Sequence, residues 1–355
     1  MKAKVMKSVL LATAFSLALP AQQAGAVSYV DQEQPLINYA TGALAIGWSS
    51  EQKLAQVVTA SHSGALRAVD LAVACNSPSD LILEIQGVDT DGRPNGVLMT
   101  LPQNIDRTLL TSAFQFTRIE LDQWVEVAAG QRLAIVLLSG DPGCASARGP
   151  AGDPYPGGDG WFDARPNAPG WVCMCEFAGS AFDLPFRTWV EDTIPPELAV
   201  PGTITIDATS PEGAFVEIAA TATDDRDGAV PVSCNPGAGI FQIGTTRVTC
   251  TARDTSGNAT TASVDVIVRG GAEQVGDLAG AIENMILPGG ISTAMNTKLQ
   301  EAEAAIAAGD IDTACGDLGA FINQVDAQAE KKRLTRAEAD QLTAEALRIQ
   351  QVLGC

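Results

Sequence analysis

His62 is the one histidine in a chain of 355 residues, and it stands between Ser61 and Ser63. A serine activated by a histidine can attack an acyl group, provided an acidic partner holds the base in its working tautomer. The signatures that usually place such a serine are missing: there is no Gly-x-Ser-x-Gly elbow, and no glycine loop for phosphate. One histidine also rules out a multi-histidine metal site. Carboxylate pairs can cleave glycosidic bonds without any histidine. Acidic residues are plentiful, 42 against 22 basic ones, but they are scattered and no pair stands out. Asp224-Asp225-Arg226-Asp227-Gly228 brings carboxylates to the close spacing that suits a hard cation such as calcium. Arg226 sits among them, and no glutamate follows at EF-hand spacing. The run therefore reads as a solvated turn, as do Asp89 and Asp91. No cofactor is expected, with calcium as the alternative.

Cysteine oxidation and aromatic stacking are the chemistry that remains. Eight cysteines fall into three even groups: Cys75, Cys144, Cys173 and Cys175; then Cys234 and Cys250; then Cys315 and Cys355. In an exported chain such sets read as disulfides, and the even grouping predicts three separately closed units. Cys173-Met174-Cys175 has the wrong spacing for a Cys-x-x-Cys redox or zinc motif. Three pairings are open to the first group. All five tryptophans (Trp48, Trp124, Trp161, Trp171, Trp189) and all three tyrosines lie before residue 190. Tyr155, Trp161 and Trp171 sit in or beside the Gly/Pro-rich stretch 149–170, and they are the candidate ligand-binding residues. Rings exposed in loops there could stack on sugars. The competing reading has them capping the core and covering a long loop.

Export is predicted by residues 1–26. Lys2, Lys4 and Lys7 precede an apolar run, Ser8 to Leu19, and Ala24-Gly25-Ala26 matches a signal-cleavage pattern. The run is shorter than the ~20 residues of a comfortable span. No later segment is long and apolar enough to cross a bilayer. The expected protein is secreted, either released or held at the cell surface. Its formal charge of −20 disfavours nucleic acid and anionic lipid as partners.

Three kinds of patterning follow the leader. Residues 27–191 alternate apolar and polar side chains in short runs: Val69, Leu71, Val73 and Cys75; Leu81, Leu83 and Ile85; Phe114 and Phe116. The continuous run Leu133 to Leu138 suits a sandwich strand. Many short strands without helical patterns predict an antiparallel, jelly-roll-like β-sandwich. Residues 54–58, 129–136 and 186–190 resemble jelly-roll-like modules of secreted bacterial proteins. Residues 192–270 enter at Pro195-Pro196 and give closely spaced strands around Ile204, Val216, Val230, Val248 and Val266, which predicts an immunoglobulin-like sandwich. Residues 271–355 are rich in Ala, Leu, Gln and Glu. Leu278, Ile282, Met285 and Ile286; Leu299, Ala302 and Ile306; Leu318, Phe321, Ile322 and Val325; and Leu342, Ala346, Ile349 and Leu353 mark four helical faces. Breaks fall at Pro288-Gly289-Gly290 and Gly309-Asp310, and Thr335 with Glu338 has capping-box spacing. A small helical bundle is expected.

The middle segment resembles a hyalin repeat, or HYR domain. The resemblance rests on Asp192 with Pro195-Pro196, Asp224, Asp227-Gly228, Cys234-Asn235-Pro236, Phe241, Gly244-Thr245, Val248-Thr249-Cys250-Thr251-Ala252, Asp254 and Ser256-Gly257-Asn258. It implies an immunoglobulin-like fold, a Cys234–Cys250 disulfide that parity also supports, an extracellular setting associated with adhesion, and no catalytic residues. The helical segment is similar to the FIMAH-type C-terminal module of secreted bacterial proteins. That likeness rests on Leu287-Pro288, Gly290-Ile291, Gly309-Asp310, Ala314-Cys315, Leu318, Ala320-Phe321-Ile322-Asn323, Val325, Leu334-Thr335 and Ala339-Asp340. It implies an accessory or attachment role. The expectation is a non-enzymatic binding or adhesion protein for a glycan or an extracellular matrix protein. The alternatives are a glycan-active hydrolase built on the first sandwich, or a structural spacer.

Overall fold

The structure is a computed structural model that describes residues 28–355 apart from 41, 48–50, 77–79, 141–142, 165–167, 177–180, 286 and 288–289. The leader, Trp48, Ile286 and Pro288-Gly289 therefore lie outside the described residues.

Alternation with a period of two sets up the first sandwich, because successive side chains on a strand point to opposite faces. In one sheet the order is Ser28–Gln34, Phe186–Glu191, Gly64–Cys75, Cys144–Ser146, Leu44–Ile46, with Gln115–Val127 also paired to Gly64–Cys75. The facing sheet runs Ala168–Cys173, Gly160–Ala164, Lys53–Thr59, Arg132–Leu138, Ile82–Val88, Pro94–Leu98, with Gln103–Asn104 beside Ile82–Val88. All of these pairings are antiparallel. Leu66, Val69, Leu71 and Val73 from one sheet meet Leu54, Leu83, Ile85, Leu133 and Ile135 from the other in a single buried core. Cys75 pairs with Cys144 directly across neighbouring strands, and Cys173 is bonded to Cys175.

The second sandwich places a four-stranded sheet, in the order Ile204–Asp207, Ala259–Arg269, Gly244–Arg253, Val232–Asn235, with smaller sheets of three and two strands. Its core is Val248, Val264, Val266 and Val268 against Ala214, Val216 and Phe241. Cys234 and Cys250 are cross-strand partners within one sheet and form a disulfide there.

Four helices close the chain: α1 (Gly271–Glu283), α2 (Ile291–Ala308), α3 (Ile311–Glu330) and α4 (Arg336–Leu353). Leu278, Leu299, Leu318, Phe321, Leu342 and Ile349 bury the faces that the 3.6-residue period marks. The capping box at Thr335 and Glu338 is formed: the Thr335 hydroxyl accepts from the Glu338 amide, and the Glu338 carboxylate accepts from the Thr335 amide. Cys315 is bonded to Cys355.

The bundle is fastened to the second sandwich. Arg269 and Arg348 both pair with Asp207, Gln274 donates to the Ala208 carbonyl, and Val352 of α4 joins the core of that sandwich.

Candidate binding face

Of the rings that the sequence singles out, only Tyr155 is in a loop; Trp161 and Trp171 stand on the strands Gly160–Ala164 and Ala168–Cys173, and the rings are mostly internal. Tyr155 is 6% exposed and meets Phe186 edge-on, with ring centroids 5.0 Å apart. Its hydroxyl donates to Gln32 Oε1 at 2.9 Å and accepts from the Thr59 amide at 3.1 Å. Trp161 is also 6% exposed. It packs with Ala55, Val57, Ala134, Val136 and Cys173, and half-buried Trp171 lies against the same cluster. Tyr155 and Trp161 thus follow the competing reading, in which the rings cap the core, and neither presents an exposed stacking face. Small side chains leave the outer face of this sheet apolar, and the indole supplies the cover that keeps water off it. Thr59, Arg132, Asp153, Gly157, Gly158 and Asp159 line a cleft of about 220 Å³ nearby. That is smaller than the ~300–1,000 Å³ usual for small-molecule sites.

His62 is held by local contacts. His62 Nδ1 lies 3.1 Å from Asp31 Oδ1, and its ring stands edge-on to Tyr29. Neither neighbouring serine turns to it: Ser61 Oγ accepts from the Gln32 amide group, and Ser63 Oγ accepts from the Ala129 amide.

Asp183 is the most perturbed carboxyl of the first sandwich, pushed up to about 6, first by burial. Gln56 donates to one of its oxygens at 3.0 Å and the Tyr155 amide to the other at 3.1 Å. The second of these bonds anchors the 153–159 loop, and the first ties Asp183 to the strand Lys53–Thr59. The native state therefore holds the Asp183 proton more tightly than the unfolded chain does. The associated stability is fully present below the unfolded value near 4 and is lost as pH rises through about 6. Comparing wild type with Asp183→Asn by denaturant unfolding at pH 4 and pH 7 should isolate it. Wild type should lose about 2 kcal/mol more than the variant on going to pH 7, at ~1.4 kcal/mol per pKa unit less some solvent screening. Equal losses would show that Asp183 is not the group responsible.

The acidic turn also departs from expectation. Asp225 Oδ2 accepts from the Ser63 amide at 3.1 Å, and Arg226 lies over the Tyr29 ring, 3.8 Å from its centroid. Asp227 Oδ2 accepts from Thr255, and Asp224 is only 8% exposed. The turn is docked on the first sandwich with Asp224 facing inward, because its sequence neighbours find partners on both sides. Asp89 does form the expected exposed turn, accepting from the amides of Asp91 and Arg93.

What sequence reading missed is the outer face of the other sheet. Glu33, Arg187, Asp70 and Arg118 stand side by side across four adjacent strands. Arg187 pairs with Glu33 at 2.8 Å and with Asp70 at 3.6 Å. Three guanidinium groups lie over aromatic rings: Arg67 on Trp124 at 4.1 Å, Arg118 on Trp189 at 4.0 Å and Arg187 on Phe116 at 4.5 Å. Such pairs fix the guanidinium plane while leaving N–H donors free. Trp124 is 56% exposed, so its ring keeps open surface for a ligand. The signal was present in Phe116-x-Arg118-x-Glu120 and Arg187-x-Trp189-x-Glu191, where aromatic and charged residues share one face at a spacing of two.

Two disulfide-stapled β-sandwiches followed by a helical bundle define a multimodular, mainly β protein that displays a polar–aromatic sheet face. Residues 191–268 match the family model of the HYR domain, so the middle sandwich is a HYR domain. No curated protein matches the chain. Among solved structures, it is similar to the M60 catalytic domain with the CBM51-1 and CBM51-2 domains from Clostridium perfringens ZmpB. That likeness has 13% identity and a TM-score of 0.16, and covers 64% of this chain and 18% of that one. Among the described residues, no helix is long and apolar enough to cross a membrane.

Proposed function

We propose that this is an exported, non-enzymatic binding or adhesion protein, and that the outer face of the first sandwich receives a glycan or a matrix protein. The observation that carries the reading is the arginine–aromatic face with exposed Trp124 on a rigid sheet. Flat rings stack on sugar faces, and fixed guanidinium and carboxylate groups bond hydroxyls. The HYR domain supports an adhesive, extracellular setting. In this proposal residues 27–191, 192–270 and 271–355 act as separate units, with the bundle as an accessory or attachment module.

Retention of the mature chain on an array of glycans and matrix proteins tests this. The expected result is saturable retention with no released reducing sugar. Release of reducing sugar, abolished by a single Asp or Glu substitution, would replace the proposal with a hydrolase. Failure to retain the chain on any spot would leave a spacer.

A further inference from the structure

Asp192, Asp224 and Asp254 are far apart in sequence and meet where the first sandwich hands the chain to the HYR domain. Asp192 follows the strand Phe186–Glu191, Asp224 ends the strand Thr221–Asp224, and Asp254 follows the strand Gly244–Arg253. One carboxylate oxygen from each lies within 4.8 Å of the other two. That separation is about twice a ~2.4 Å calcium–oxygen bond, the distance between oxygens on opposite sides of one ion. The three residues are 2%, 8% and 6% exposed.

Most of their remaining valences are accounted for. Asp192 Oδ1 accepts from the Ile194 amide, and Asp224 Oδ1 accepts from the amides of Arg226 and Asp227, all at 3.0 Å. Asp254 is bonded to Asn258, whose side-chain amide also donates to the Asp192 carbonyl. Asp224 Oδ2 is different: it is buried and, among the described residues, has no hydrogen-bond partner, while the buried Asp192 carboxylate has the Ser256 hydroxyl beside it as well as the Ile194 amide. Among the described residues no arginine or lysine pairs with the three carboxylates. The nearest candidate, Arg226, is held over Tyr29 and donates to Ser256 Oγ. A buried carboxylate oxygen left bare is costly, and three like charges together add repulsion. A counter-charge at the centre of the cluster removes both costs.

We propose that Asp192, Asp224 and Asp254 together bind one calcium ion at the junction of the two sandwiches. An all-oxygen donor set selects a hard cation, and water or nearby carbonyls complete its shell. Asp192 belongs to the connecting segment, while Asp224 ends one strand of the HYR domain and Asp254 follows another. The ion therefore ties the connector to the second sandwich beside the Asp225–Ser63 contact, and stiffens the joint between the two. Asp225 and Asp227 lie outside this group of three and accept instead from Ser63 and Thr255.

The test uses the full mature chain after chelator treatment. Calorimetric titration with calcium chloride should show one ion bound per chain, and the thermal midpoint should rise with free calcium, as it does for any ligand of the native state. Asp192→Asn combined with Asp224→Asn keeps the side-chain shape and the Oδ1 acceptors but removes the charge, and should abolish both effects. Asp225→Asn should bind as wild type does. Absence of both heat and midpoint shift in the wild-type chain at millimolar calcium overturns the proposal, whether or not the double variant folds. So does a folded double variant that still binds one ion.

Discussion

Replacing Phe186 by alanine should lower the stability of the first sandwich by about 3–5 kcal/mol, the range for a fully buried aromatic ring. Phe186 has no exposed surface and begins the strand that lies between Ser28–Gln34 and Gly64–Cys75. Its ring also supports Tyr155, whose hydroxyl bridges Gln32 and Thr59. Removing the ring leaves a cavity and loosens that bridge, so the cost belongs at the upper end of the range. The measurement is selective, because every tryptophan of the chain falls in sequence before residue 190. Intrinsic fluorescence during urea unfolding follows it without contribution from the HYR domain or the bundle. The expected result is a lowered midpoint with an unchanged slope. A loss below about 1 kcal/mol would mean that the ring is not at the centre of the core.

The second large effect is expected from Cys75→Ala combined with Cys144→Ala. That disulfide closes 69 residues of chain. On the chain-entropy estimate it constrains the unfolded state by about 4 kcal/mol. Cys173 and Cys175 are only two residues apart, so their bond closes almost no loop and gains little by this route. Replacing each pair in turn, with the same fluorescence readout, should give a large loss for the first and a much smaller one for the second. Equal losses would show that loop closure is not how the first bond stabilises the sandwich.

These contrasts show which features a single sequence displays. The helices were legible because a 3.6-residue period, the Thr335–Glu338 box and the Gly309 break are local signals, and α2, α3 and α4 obey them. The HYR segment was legible because its strands and turns are short and regularly punctuated. Burial of Trp161 was not foreseen, although a clue was available. The unbroken apolar run Leu133 to Leu138 requires both faces of its strand to be covered, and Trp161 covers the outer one over Ala134 and Val136. The arginine–aromatic face depends on strand register between residues more than forty positions apart, which alternation does not specify. Proximity in sequence also misled: the run 224–227 drew attention to itself, while the carboxylates that converge are about thirty residues apart.

The central claim is that the ligand rests on the arginine–aromatic sheet face and not around Trp161 and Trp171. The direct measurement is the affinity of a ligand retained on the array for wild type, Trp124→Ala and Trp171→Ala. A ring at the centre of a binding face is worth about 2 kcal/mol or more, so Trp124→Ala should weaken binding by at least about 30-fold. Trp171→Ala should leave it within about threefold of wild type. The opposite ranking, with Trp171→Ala abolishing retention and Trp124→Ala binding as wild type does, would contradict the account and return the site to the surroundings of Trp161 and Trp171.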